Sequence, residues 1–401
     1  MKKFLFSALI VVLAAAAILV HVSMPSAEEG FPPAPPPVLP EMSLPDGMVS
    51  AVFVESTDGT DDGITRLIAS MRAHGLDFYQ TEGTPGGIIA SNDVVLLQFN
   101  VQWSERGGTN TDLIARVIEA VLAHPEGFTG EIIVADNGQG IGNLDWARAN
   151  SACREQSTLD VVNSFQARGY HVTASLWDLF SAVRVAEFSE GDYTDGFVAE
   201  DIVRHTGLEV TYPKFTTEFG TRVSFRHGIW NGEGYDMDRL KVINMPVLKS
   251  HWTFGQTGAV KNYMGVVSNH LTRRRAHYSV GTGGMGTQMV YTRMPILHIL
   301  DMIWVTPDGG PASSFNAAVE VNKIGASIDP VALDVWATNH VLIPEAERLL
   351  RRRPSTMNPA GTEPGTFGHW LRLSLNEMLA AGYNFTMDEN ETMVVIGGEI
   401  I

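Results

Sequence analysis

The chain has 401 residues, of which 44% are hydrophobic and 18% charged, so it is globular and long enough to bury a large core. Its formal net charge of -17 argues against a broad basic face for a nucleic-acid backbone and favours solubility, or a small anion held by one local basic pocket. The single cysteine, Cys153, rules out an intramolecular disulfide and any iron–sulfur cluster held by cysteines.

At the N-terminus, Lys2 and Lys3 precede an apolar run from Phe4 to Val20, and Ser26 and Ala27 supply small residues before Glu28 and Glu29. Residues 1–27 therefore read as an export signal or a retained membrane anchor. Either reading puts the body outside the cytoplasm: periplasmic, secreted, or tethered to the outer face of the cytoplasmic membrane. Residues 28–47 are proline-rich, with GFPPAPPPVLP from Gly30 to Pro40, and predict a semi-rigid polyproline spacer.

Beyond that linker the periodicity alternates. MVSAVFV (Met48–Val54) predicts a strand, Thr65–His74 a helix and DVVLLQFN (Asp93–Asn100) a buried parallel strand. Asn110–His124 predicts an amphipathic helix with Asn110 or Thr111 as its cap, and EIIVA (Glu131–Ala135) the next strand. Strand–helix–strand with short connections is a βαβ unit and implies a parallel sheet. The glycine-rich DNGQGIGN (Asp136–Asn143) that follows lacks dinucleotide-fingerprint spacing and reads as a tight turn placing Asp136 at a strand's C-terminal end. A helix at Ser157–Arg168 and a strand at Tyr170–Leu176 come next, then an irregular acidic stretch, β-like segments over Tyr212–Ile229 and a strand at Lys241–Met245. GTGGMG (Gly281–Gly286) predicts a flexible loop, Met294–Thr306 a helix-to-strand element, and Asn322–Ile328 a short strand. Asp329 is placed to cap a helix that has Pro330 at its first position. A helix over Phe367–Ala381 and a strand over Thr392–Ile396 close the chain. The expected fold is α/β: a mostly parallel sheet with helices on both faces, in two lobes over roughly residues 48–240 and 241–401.

Chemistry concentrates between Val242 and Tyr278, where 37 residues hold Lys249, Lys261, His251, His270, His277 and the run Arg273, Arg274, Arg275. Such local basicity stands out against an acidic background. His251 ends an apolar strand that also carries Lys249, in a position to face a cleft and act as acid and base. Lys261 follows the Gly258 turn, where it can clamp a carboxylate or phosphate or be desolvated into a nucleophile. Asn262 is a candidate for orienting a substrate carbonyl, or for a turn or cap. Arg274 is the representative of an arginine run that either reaches an anion or is simply solvated. Asn100, Asp136 and Asp301 lie near strand ends; Asp301 is a candidate catalytic carboxylate, and Asn100 and Asp136 are candidates for substrate binding. His270, His277 and Asp329 form a candidate set for a divalent metal, the alternative being solvated histidines and a helix cap.

Several segments together resemble the DUF362 family, a group named for its unknown function. They are LQFN at Leu97–Asn100, VADNG at Val134–Gly138, MPVLKSHWTFGQTGAVKNYMG at Met245–Gly265, Asp301 with GGP at Gly309–Pro311, and SIDPVALD at Ser327–Asp334. Two features depart from that family: Gln98 stands where members often have lysine, and the ferredoxin-type cysteines of many members are missing. A more distant similarity links His251, Lys261 and His277 to the lactate racemase type of nickel-pincer enzyme. That similarity would imply an acid/base histidine, a lysine attached to a pincer cofactor and a histidine on nickel. The expectation is an exported enzyme acting on a small anion by lysine and histidine chemistry, isomerase- or racemase-like. The alternative is a non-catalytic tethered binding protein for an anion or metal, or a scaffold that has lost its chemistry.

Overall fold

The computed structural model describes residues 31–103, 105–140, 146, 155–273, 275–311, 316, 318–350 and 354–401. The expected signal or anchor at 1–27, Cys153 and Arg274 lie outside these residues. Among the described residues no helix is long and apolar enough to cross a membrane.

The first part of the chain runs β1 (Ser50–Ser56), α1 (Gly63–Ala73), β2 (Val94–Phe99), α2 (Thr111–Leu122), β3 (Glu131–Asp136), α3 (Thr158–Ala167) and β4 (Val172–Leu176). Strands β5 (Gly196–Val203), β6 (Leu208–Thr216), β7 (Arg222–Ser224), β8 (Gly228–Trp230) and β9 (Tyr235–Asp236) then form a separate antiparallel sheet. The chain re-enters the main sheet with β10 (Leu240–Met245), β11 (Val247–His251) and β12 (Gly255–Thr257). The rest is α4 (Arg275–Ser279), α5 (Gly284–Tyr291), β13 (Leu297–Thr306), β14 (Val319–Ser327), α6 (Pro330–Ala337), α7 (Ile343–Leu350), α8 (Phe367–Ala380), β15 (Thr392–Ile396) and β16 (Glu399–Ile400).

The main sheet is ordered β16-β15-β1-β14-β13-β10-β2-β3-β4, with the β11–β12 hairpin attached beside β13. From β13 through β10, β2 and β3 to β4 every pairing is parallel, as is β1 with β15; β14 runs antiparallel to both its neighbours. The predicted α/β class with a mostly parallel sheet is what the chain adopts. The two sequence halves expected as lobes instead share this sheet: β1 lies between β14 and β15, β2 lies beside β10, and Phe31–Ile401 is one compact unit.

Alternation along β2 shows why the sheet is buried on both faces. Val95, Leu97 and Phe99 pack with α1, α2 and α3, whereas Val94 and Leu96 face the antiparallel sheet, α5 and α8. Helix α2 inserts Leu113, Ile114, Val117, Ile118 and Val121, each fully buried and worth roughly 2 kcal/mol of transfer free energy. Asn110 caps it by accepting from the Asp112 N–H at 2.9 Å. Helices α6 and α7 cover the remaining part of the second face, over Val52, Val54, Leu300 and Met302.

Three expectations are corrected. GTGGMG is no flexible loop: Gly284–Tyr291 is helix α5, entered through Gly283 at φ 90°. A Cβ at Gly286 would lie 2.3 Å from the Ser374 carbonyl oxygen on α8, so glycine here serves close helix–helix packing. The stretch before β13 is not helical, and β13 runs ten residues as strand. The proline-rich segment is not a free spacer over its described part. The Ala34 N–H donates to the Val290 carbonyl at 3.0 Å, the Phe31 ring lies 5.9 Å from Tyr291, and Leu39, Met42 and Leu44 pack onto the core. Proline removes donors and stiffens the chain, but the interspersed apolar residues supply the adhesion.

Candidate functional site

The C-terminal ends of parallel strands are where open α/β sheets bind ligands, and a cavity of about 180 Å³ lies there. Asn100 enters it just after β2 and Asp136 from the end of β3. Lys249 and His251 come from β11, two residues apart and so on one face of the strand. Lys261 and Asn262 begin a 3₁₀ turn, Lys261–Gly265, and His277 reaches in from α4. Trp252, 72% exposed, stands at the mouth.

Lys261 is the least satisfied of these groups. Its side chain is buried, its ammonium nitrogen lies 5.6 Å from the centre of the Phe254 ring, and among the described residues it has no hydrogen bond or ion pair. Burial alone lowers its pKa to about 7. Lys249, also buried, donates to Asn100 Oδ1 at 3.2 Å and to the Gly107 carbonyl. Burial first and Lys261 second bring it to about 7, against a partial pull upward from Asp136 and Asp301.

His251 Nδ1 accepts from the backbone N–H groups of Thr253 and Phe254, each at 3.2 Å. Its proton therefore sits on Nε2. Burial, then Lys261, His277 and Lys249, depress its pKa to about 2, so it is neutral at physiological pH. As held, His251 offers an N–H donor that can polarise an oxygen, and acting as a base would cost it both backbone bonds. His277 is neutral as well, lowered to about 4 by burial and then by Lys261, and its ring lies 5.8 Å from that of His251.

Beneath the cavity an amide network fixes the floor. Asn262 Nδ2 donates to Gln98 Oε1 at 2.9 Å and to Asn244 Oδ1 at 2.8 Å, and its Oδ1 accepts from Asn100 at 3.3 Å. Both of its donor hydrogens are spent, so Asn262 positions its neighbours rather than a substrate carbonyl. Gln98 also donates to the Phe99 carbonyl at 3.0 Å, combining donor and acceptor in a way a lysine at that position could not. Asp136 accepts the Val101 and Asn137 N–H groups at 2.9 Å each, and burial raises its pKa to about 7.

The remaining expected site residues stand elsewhere. Asp301 does not line the cavity. Its oxygens accept the Asn110 N–H at 2.6 Å and the Ile303 N–H at 2.9 Å, so it anchors the start of α2 and reaches Lys249 only as a nearby charge. Asp329 caps α6 as expected, accepting from Val331 at 2.8 Å and Ala332 at 3.1 Å, and it also takes the Thr386 N–H at 2.9 Å. His270 is exposed. The metal set His270, His277 and Asp329 is therefore not assembled, and among the described residues no three histidine, cysteine or acidic side chains converge to hold a metal. Arg273 and Arg275, which flank Arg274, are exposed and do not line the cavity; its positive charge comes from the lysines.

Asp334 was the residue that sequence reasoning under-used. From α6 it accepts the Ala259 N–H at 2.6 Å and the Val260 N–H at 3.0 Å, capping the turn that presents Lys261. Its spacing from Asp329 within DPVALD was the available signal.

A family model for a domain of unknown function, DUF362, matches residues 233–339. The chain carries a DUF362 domain. The match takes in β10 through α6, and with them Lys249, His251, Lys261, His277, Asp301 and Asp334. Asn100 and Asp136 come to the cavity from outside the matched part of the DUF362 domain. No curated protein and no solved structure matches the chain. The nickel-pincer similarity meets a partial fit: His251, Lys261 and His277 do share one cavity. The cavity measures about 180 Å³ and opens to solvent past Trp252.

Proposed function

We propose that this DUF362 protein is an exported enzyme that binds a small anion, such as a short carboxylate, and moves a proton at the carbon beside the anionic group. The observation that carries this reading is two buried lysines and two neutral histidines lining one small cavity, with Lys261 unpaired among the described residues. Pockets for drug-sized ligands start near about 300 Å³, so the occupant is a compact molecule of a few heavy atoms. Lys249, held by Asn100, is the anion clamp. The His251 Nε2–H donates to the oxygen on which charge builds as the C–H bond breaks. Lys261 and His277, neither hydrogen-bonded among the described residues, are the groups free to take and return the proton, which is isomerase- or racemase-like chemistry. Export rests on the Lys2–Ala27 pattern.

The test is isothermal titration calorimetry with a panel of short carboxylates, followed by proton NMR of each binder in D2O. Micromolar to millimolar binding with loss of the signal of the C–H beside the carboxylate, or of the C–H one carbon further out where that position is a carbonyl, is the expected result. Binding without exchange would make the protein a capture protein, and no binding of any anion would remove the reading altogether.

A further inference from the structure

The chain contains seven lysines against twenty-one arginines, and two of those seven line one cavity. Charge alone does not call for this, because arginine holds carboxylates better through its bidentate fork. Lysine differs in being able to lose its proton and become a nucleophile. The two amines are also held differently. Lys249 is bound by Asn100 and the Gly107 carbonyl, whereas Lys261 stands against the Phe254 ring with no hydrogen-bond partner among the described residues.

Resting on the anion-site reading above, we propose that the substrates are 2-oxo acids or similar anionic carbonyl compounds, and that Lys261 joins them covalently as an imine. Lys249 takes the carboxylate, which places the adjacent carbonyl toward Lys261. The His251 Nε2–H donates to the carbonyl oxygen. The Lys261 amine adds its electron pair to the carbonyl carbon, the C=O π pair moves to oxygen, and a carbinolamine forms. Loss of water with the two amine protons, one of them restored from solvent, gives the protonated C=N. Nothing is oxidised or reduced. In a 2-oxo acid the carbon beside the carboxylate is the iminium carbon itself, so the acidified C–H lies on the next carbon out, present in pyruvate and absent from glyoxylate. Neutral His277 is the group free to accept that proton. The amine is suited to this task because burial leaves a large share of it uncharged near neutral pH.

The experiment treats the protein lacking residues 1–27 with pyruvate or glyoxylate and sodium cyanoborohydride, which reduces an imine to a stable secondary amine, and maps the product by peptide mass spectrometry. The same ligands are titrated calorimetrically. The expected result is one adduct, on Lys261, exceeding modification of the part-exposed Lys241 and Lys323 by about tenfold or more. Propionate, which lacks the carbonyl, should bind and give no adduct; Lys249→Met should slow labelling, and Lys261→Met should abolish it. Pyruvate that binds while Lys261 stays unmodified overturns the imine and leaves the anion site standing. Failure of every anion to bind overturns both. The wild-type peptide map decides the matter even where a variant does not fold.

Discussion

Among the described residues two places bury a lysine, and they treat it in opposite ways. In the antiparallel sheet Lys214, fully buried, donates to the Asp192 carbonyl at 2.7 Å, has the Asp192 carboxylate at 3.9 Å and lies over the Phe188 ring. Glu187 nearby is bonded by Ser224 at 2.8 Å and Tyr235 at 2.6 Å. In the cavity, Lys261 has neither a carboxylate nor a carbonyl bonded to it among the described residues. A buried cation that is paired contributes to holding the fold; one left unpaired costs stability, and that cost is the mark of a site shaped for something else.

Replacing each lysine separates the two roles most sharply. Lys261→Met should abolish deuterium exchange, a loss on the order of 10³-fold or more, while the melting temperature stays level or rises because an uncompensated amine has gone. A folded Lys261→Met protein with undiminished exchange would erase the distinction. Lys214→Met should do the reverse, lowering stability in urea by about 2 kcal/mol with anion affinity unchanged, since it strands a main-chain carbonyl and a part-exposed carboxylate. Asp192 is 29% exposed, so water replaces much of what its carboxylate would lose.

pH offers a graded version of the same contrast. Lys249 and Lys261 sit near about 7 in the folded chain against an ordinary 10.5; the anion binds the protonated form of Lys249, whereas Lys261 works uncharged. Affinity should therefore fall above pH 7, by about tenfold per unit if one lysine must be charged, with proton uptake visible calorimetrically in buffers of different ionisation enthalpy. Flat affinity from pH 6 to 9 would show that Lys249 does not hold the anion. The sign for stability follows from the same values. Between about 7 and 10.5 the unfolded chain keeps protons that the folded chain has shed, so these two amines make the protein more stable as pH rises through that window. Lys261→Met should remove its share of that rise. The smallest effect expected is from Asp334→Asn, which keeps the shape but weakens the acceptor for Ala259 and Val260. About 1 kcal/mol of stability and a several-fold drop in exchange should follow.

Much of this site was legible in the sequence because the strands that carry it are unambiguous. Lys249 and His251 fall two apart on an apolar strand, Asn100 and Asp136 end parallel strands, and alternation fixes where all four emerge. The protonation pattern was not legible. It depends on which backbone N–H groups meet His251 Nδ1, a matter of three residues turning back after β11. Nor could sequence distinguish Asp301 from Asp136: both end up buried, but only one borders the cavity. The proline-rich segment misled because composition reports stiffness, whereas Phe31 and Leu39 decide adhesion. GTGGMG misled for a related reason, since glycine marks close approach as readily as freedom.

The Lys261 turn is bracketed by two glycines that each press on a buried acid. A Cβ at Gly258 would lie 2.2 Å from Asp334 Oδ1, and one at Gly265 would lie 2.2 Å from Asp136 Oδ1. Neither position can take a larger residue without displacing a carboxylate that accepts backbone N–H groups, Asp334 those of Ala259 and Val260 and Asp136 those of Val101 and Asn137. The mouth is under no such constraint: Trp252 is largely exposed, and its side chain can be exchanged without disturbing what lies below. Mutational variety is thus channelled outward. A lineage built on this scaffold, or a designer working from it, would diversify what the pocket accepts at the rim while inheriting the lysine turn intact.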